Sequence, residues 1–168
     1  IGRSSYWVER MFTDNRPDVN LATDTQLGVL PDKTTPVGGI GLGTYQTAAE
    51  YSNIRISVDG EQVYASDPEN NPGEWIAASG NWKIEGGKLI QPDENGTGSI
   101  MLRDQWLDAV KSKIVSVEFD ARKLGGKEGF VLKFGAKDPA NCYQLTLGSF
   151  GNAWTIFQSV ADDNAFVL

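Results

Sequence analysis

Short runs in which apolar and polar residues alternate recur along most of the 168-residue chain. Tyr51 to Val58 (YSNIRISV) sets Ile54, Ile56 and Val58 against Arg55 and Ser57, the period of two that a half-buried strand requires. Lys113 to Ala121 (KIVSVEFDA) repeats it with Ile114 or Val115, Val117 and Phe119. Gly129 to Ala136, Tyr143 to Gly148 and Trp154 to Val160 read as further strands, and so do the shorter pieces Gln62–Ala65, Trp82–Glu85, Lys88–Gln91 and Ser99–Leu102. A glycine-rich strand is expected over Val37 to Tyr45. Asp59-Gly60 and Gly86-Gly87 suit two-residue hairpin turns, whose central positions need positive φ, and Glu94-Asn95-Gly96 marks another turn. About nine short strands at this spacing predict an all-β fold, a two-sheet antiparallel sandwich of jelly-roll type.

One segment departs from the period of two. Ser4 to Thr13 (SSYWVERMFT) places Tyr6, Trp7, Met11 and Phe12 near one face of a short helix that Ser4 or Ser5 can cap, and Pro17 stops it. So short a helix is not stable alone and must pack on something. Residues 18–36 are polar and aperiodic and read as a linker. The expected organisation is a helical lead-in over 1–17, a linker over 18–36 and a sandwich over 37–168. Asp162 to Leu168 shows no closing pattern, and a sandwich stopping there would expose an edge strand. Further strands are therefore expected beyond Leu168, and both ends read as cuts in a longer polypeptide.

Composition narrows the chemistry. The chain has no histidine, which excludes catalytic triads and dyads built on imidazole and His-ligated zinc. Cys142 is the single cysteine, so no intrachain disulfide forms; at the head of an alternating run it reads as a small strand residue rather than a reactive thiol. Twenty-two acidic against 15 basic residues give a net charge of −7, which disfavours nucleic acid and anionic membranes as partners but is compatible with neutral glycans. No apolar stretch approaches the roughly 20 residues of a membrane helix, and no signal peptide is visible.

Few motifs could carry a reaction or a ligand. Glu118 and Asp120 share a strand face, as the paired carboxylates of sandwich glycosidases do, but the third acidic position of that pattern is Lys123. Asp67, Glu69 and Asn71 place oxygens at alternate positions of a loop, a weak calcium pattern without the glycine and distal Glu of an EF-hand; no other cofactor is expected. The Gly39-x-Gly41-x-Gly43 run has no following helix to complete a phosphate cradle. Asn95-Gly96-Thr97 matches a glycosylation sequon. Trp82 and Trp106 sit in apolar contexts that read as core. Trp154 follows Gly151-Asn152 at a hairpin mouth, where a ring could meet a ligand. Gln144 and Thr146 share the polar face of one strand, with Lys133 on the strand before, and make a candidate polar shelf.

Several stretches together resemble a known family. Ser5-Tyr6-Trp7-Val8-Glu9-Arg10-Met11-Phe12 resembles the helix that ends the catalytic barrel region of family 51 α-L-arabinofuranosidases. Gly41 to Ile54 (GLGTYQTAAEYSNI), Gly80 to Ile84 (GNWKI) and Ala121 to Phe130 (ARKLGGKEGF) are similar to the accessory region of the Bacteroidetes enzymes. Gly148 to Asn152 corresponds to a Gly-Gly-Trp-Gly-Asn loop there, with Ser149 and Phe150 replacing the second Gly and the Trp. The resemblance implies a concanavalin-like, laminin-G-like jelly roll that follows a (β/α)₈ catalytic barrel in one secreted, periplasmic or cell-surface polypeptide. It places the catalytic glutamates on that barrel, so no catalytic residue is carried over to this chain.

Three functions follow from these readings. A carbohydrate-binding module would hold an arabinose-containing polysaccharide through Arg122, Lys133, Gln144, Thr146, Asn152 and Trp154. A structural spacer would pack on the upstream barrel and carry an apolar patch. A free-standing glycosidase would need two carboxylates about 5–10 Å apart across a cleft.

Overall fold

The computed structural model describes residues 25–27, 38–103 and 115–167. These contain thirteen strands: β1 (Thr25–Leu27), β2 (Gly39–Tyr45), β3 (Thr47–Val58), β4 (Glu61–Ala65), β5 (Trp75–Ser79), β6 (Lys83–Glu85), β7 (Lys88–Gln91), β8 (Thr97–Leu102), β9 (Val115–Gly126), β10 (Phe130–Asp138), β11 (Asn141–Gly148), β12 (Trp154–Ala161) and β13 (Asn164–Val167). A four-residue helical turn, Ser149–Asn152, joins β11 to β12, with Phe150 and Gly151 in left-handed backbone. The expected lead-in helix, Trp106 and the expected linker other than residues 25–27 lie outside the described residues.

The strands form two antiparallel sheets, as the alternation predicts. One runs β1-β9-β3-β7-β6 with β4 also paired to β3, and the other runs β13-β12-β11-β10-β2-β8-β5. Their inner faces meet in a single core of aliphatic and aromatic side chains from both sheets, among them Leu42, Ile54, Ile56, Leu89, Val117 and Leu132. Tyr51 of β3 sits at its centre, fully buried, with its ring 5.8 Å from Phe119 and 5.9 Å from Phe130. Its hydroxyl crosses the sandwich to donate to the Gly43 carbonyl of β2.

Simple alternation cannot bury both Tyr51 and Ile54. The chain resolves this at Asn53, which adopts φ 52°, and the β3–β9 register slips between Ser52 and Arg55. This is a bulge, which resets which face the side chains take. The turns match their sequences. Asp59 and Gly60 both have positive φ (52° and 86°), as do Gly86 and Gly87 (57° and 72°), which suits the right-handed twist of the strands they join.

Three strands fall where alternation shows none. β5 is an edge strand in which only Trp75 is buried, so no apolar face announces it. The three residues of β1 lie inside the expected linker yet pair with β9. In the C-terminal segment Asp162 and Asp163 take positive φ and turn the chain into β13, which pairs with β12 at the edge of its sheet. Trp82 is half-buried rather than enclosed, with its ring 6.1 Å from Tyr51 and its indole N–H donating to the Ser79 carbonyl at 2.9 Å.

Candidate functional site

The glycine-rich strand shapes the molecule's outer surface. Ile40 and Leu42 point into the core, so Gly39, Gly41 and Gly43 face outward on β2, between β8 and β10. A Cβ on Gly43 would lie 2.5 Å from the Gly98 carbonyl oxygen, and one on Gly39 would lie 2.3 Å from that of Ala136. Neighbouring backbone thus comes too close for a side chain at Gly39 and Gly43, the Met101 side chain fills the space over Gly41, and all three glycines are buried.

On the same sheet runs a groove of about 560 Å³, lined by residues of the strands around this stripe and not by the stripe's own glycines. Tyr45, Ala78, Ser79, Thr97 and Ser99 line one corner, Val131, Lys133 and Gln144 the middle, and Asp138, Pro139, Ala140 and Asp163 the opposite corner. The β10–β11 turn makes a wall there, because the β10–β11 register shifts after Phe134 and the turn folds back until the Lys133 ammonium donates to the Pro139 carbonyl at 2.7 Å. The Ala140 amide and the Asn141 side chain donate to Asp138 at 2.9 and 3.0 Å, and chiefly the Asn141 bond holds the Asp138 carboxyl below its ordinary pKa. Asp162 and Asp163 of the β12–β13 turn donate backbone N–H groups to Asn141 and Ala140, tying the two turns together.

The candidate residues distribute unevenly. Lys133 and Gln144 stand directly opposite each other on β10 and β11 and both line the groove. The Gln144 amide donates to Thr146 at 3.1 Å and to Gln158 at 3.3 Å, so Thr146 belongs to the same polar row. Trp154 is 64% exposed, and alternation along β12 puts it on this face with Ile156 and Gln158, yet it does not line the groove. Asn152 lies at the end of the sandwich, where its side chain accepts from Lys123 at 3.1 Å; burial pushes the Lys123 ammonium's pKa down. Arg122 stands apart on the outer face of the six-stranded sheet, opposite Glu50, with 2.9 Å between its Nε and the Glu50 carboxylate.

Glu118 and Asp120 also lie on that other sheet, where Glu118 is paired with Arg55 across the ladder and Asp120 accepts from the Asn53 amide. The carboxylate of Asp67 accepts both the backbone N–H and the side-chain amide of Asn70, at 3.3 and 2.8 Å, a local bond that braces the loop. Among the described residues no three Asp, Glu or Cys groups converge. Cys142 is buried, and burial pushes its thiol's pKa up, which fits a packing residue. No helix among the described residues is long and apolar enough to cross a membrane.

Two groove residues escape sequence reasoning. Tyr45 ends the glycine stripe on the stripe's own face, half-exposed, and Ser99 is 94% buried with a hydroxyl that has no hydrogen-bond partner. The first could have been found, because Gly41, Gly43 and Tyr45 share one parity; the second depends on which strands pair.

The chain is similar to an extracellular exo-α-L-arabinofuranosidase of Streptomyces chartreusis, 26% identical over 164 residues. That match covers 95% of this chain but 19% of the relative, so the chain spans about a fifth of the length of the protein it matches. No protein-family model and no solved structure matches the chain.

Proposed function

We propose that the chain is a non-catalytic accessory module of a secreted, plant-polysaccharide-degrading glycoside hydrolase resembling the α-L-arabinofuranosidases, and that it binds a neutral glycan. The groove on the outer face of the seven-stranded sheet carries this reading. Its lining is mostly hydroxyls, amides and small apolar groups, the mixture that suits a sugar's hydroxyls and its C–H faces. A ligand carrying carboxylates would meet Asp138 and Asp163 at one end, and the only ammonium in the lining, that of Lys133, already donates to Pro139. The similarity to a short segment of a much longer arabinofuranosidase supports an accessory place in a larger polypeptide, and that relative's extracellular character supports secretion.

The test is a calorimetric titration of the folded chain with arabinan and arabinoxylan oligosaccharides. Binding at millimolar affinity or better is expected, lost in the Lys133→Ala/Gln144→Ala double variant and retained in Arg122→Ala, which alters the opposite sheet. Absence of heat with every glycan would sink the binding reading. The spacer function would then stand, favoured by the exposed Phe166 and Val167 on edge strand β13, apolar residues that a neighbouring domain could cover.

A further inference from the structure

We infer that the glycan is anchored at the Tyr45–Ser99 corner of the groove and not at Trp154, an assignment that rests on the glycan-binding reading above. The groove runs diagonally across the sheet. It starts where β2, β5 and β8 meet at one end of the sandwich and finishes at the β10–β11 and β12–β13 turns at the other. Tyr45 and Trp154 stand at the same end of the sheet, but β10 and β11 lie between their strands. Three interstrand spacings separate them, roughly 14 Å. Trp154 therefore occupies a corner off the diagonal, while the ring of Tyr45 lies on it, 47% exposed.

The second observation is the Ser99 hydroxyl. Among the described residues three buried side-chain hydroxyls have no hydrogen-bond partner, those of Thr47, Ser99 and Thr155, and only Ser99 lines the groove. Ser99 faces outward because its strand neighbour Ile100 is in the core and its cross-strand partner is Gly43. An unpaired buried hydroxyl is unfavourable in the free protein and is relieved by any partner that reaches it. A sugar ring laid against Tyr45 would bring hydroxyls to that spot, so stacking and hydrogen bonding coincide at one corner. The local backbone is held in place: Gln91 donates to the Thr44 hydroxyl at 3.0 Å and to the Asp93 carbonyl at 3.1 Å, and the Tyr45 amide donates to the Gly129 carbonyl at 3.2 Å.

The experiment titrates a linear arabino-oligosaccharide into the wild-type chain and into Tyr45→Ala, Ser99→Ala and Trp154→Ala. Tyr45→Ala is expected to weaken binding roughly ten-fold, the scale of losing one stacking ring. Ser99→Ala is expected to weaken it about five-fold while raising the melting temperature of the free protein, since it removes the unpaired hydroxyl. That opposite movement separates a ligand contact from damage to the fold. Greater loss in Tyr45→Ala and Ser99→Ala than in Trp154→Ala supports the assignment. The reverse order overturns it and leaves glycan binding intact, whereas a wild-type chain that binds nothing overturns both.

Discussion

Replacing Gly43 by alanine is the most direct probe of the close packing of β2 against β8 beside the groove. The new methyl carbon would sit 2.5 Å from the Gly98 carbonyl oxygen and 3.4 Å from Cβ of Val131. Carbon and oxygen ordinarily approach no closer than about 3.3 Å, so β2 and β8 must separate by several tenths of an ångström. β2 cannot withdraw inward, because the Gly43 carbonyl accepts the hydroxyl of fully buried Tyr51 from the other sheet. Overpacking of this kind costs about 1–3 kcal/mol. Loss of glycine's freedom in the unfolded chain returns about 0.4–1 kcal/mol, leaving a net destabilisation of about 1–2 kcal/mol. For a domain of this size that lowers the melting temperature by about 2–8 °C.

Gly41→Ala supplies the comparison. Its Cβ would lie 2.3 Å from the Met101 sulfur, the far end of a flexible side chain that can swing aside, and 3.0 Å from the Ile100 carbonyl. In a Met101→Ala background the cost of Gly41→Ala should shrink, while that of Gly43→Ala should stay the same within about 0.5 kcal/mol. Differential scanning calorimetry of the four single and double variants measures both. A Gly43→Ala protein as stable as wild type would refute the close approach of β2 and β8.

Two further predictions concern titration. Burial tends to raise the Glu50 carboxyl, but the hydrogen bond from Lys88 and the charges of Lys88 and Arg122 outweigh it and hold the pKa below its ordinary 4.5. A depressed carboxyl stabilises the fold above its unfolded pKa and loses that contribution as pH falls through the folded value, so Glu50→Gln should flatten the stability curve below about pH 4.5. Both cations are largely solvated, so at neutral pH the loss should stay under about 1 kcal/mol and shrink with salt; identical acid limbs in the two proteins would contradict the pairing. Tyr64 lies in a chain in which the Trp75 indole donates to its oxygen at 3.0 Å and its hydroxyl donates to Glu74 at 2.9 Å, and burial pushes its pKa up to about 12. A raised phenol keeps its stabilisation below the unfolded value of 10 and loses it as pH climbs from 10 to 12, so Tyr64→Phe should remove part of the alkaline limb. Tyrosinate absorbance that shows Tyr64 ionising as a free phenol would contradict this.

Much of the fold is legible in the sequence because its strands bury one face each. Ile54, Ile56 and Val58 show this directly, and the Asp-Gly and Gly-Gly pairs mark their turns without tertiary help. The failures share a cause, which is that edge strands bury too little to leave a pattern. β5 encloses only Trp75, and β13 encloses nothing. The site was legible in part. Lys133, Gln144 and Thr146 emerge from parity on adjacent strands, since consecutive hairpin strands pair. Arg122 could not be assigned to a face without knowing that β9 belongs to the other sheet, and the partnerless state of Ser99 follows from its neighbours β2 and β5, distant in sequence.

The two outer faces differ in a way that bears on where a ligand can bind. On the six-stranded sheet prominent polar groups already have partners: Glu50 holds both Lys88 and Arg122, and Asp120 accepts from Asn53. A ligand there would have to break charged pairs, and each hydrogen bond it gained would replace one lost. The seven-stranded sheet offers a groove with few charged groups, the unpaired hydroxyl of Ser99 and a half-exposed tyrosine ring beside it. A ligand that reached Ser99 would make a hydrogen bond that the free protein lacks. Free energy of association comes from such differences between bound and free states, and not from the number of polar groups on display. The richer array of charge on the six-stranded sheet is therefore the poorer site, and the sparsely functionalised groove is the better one.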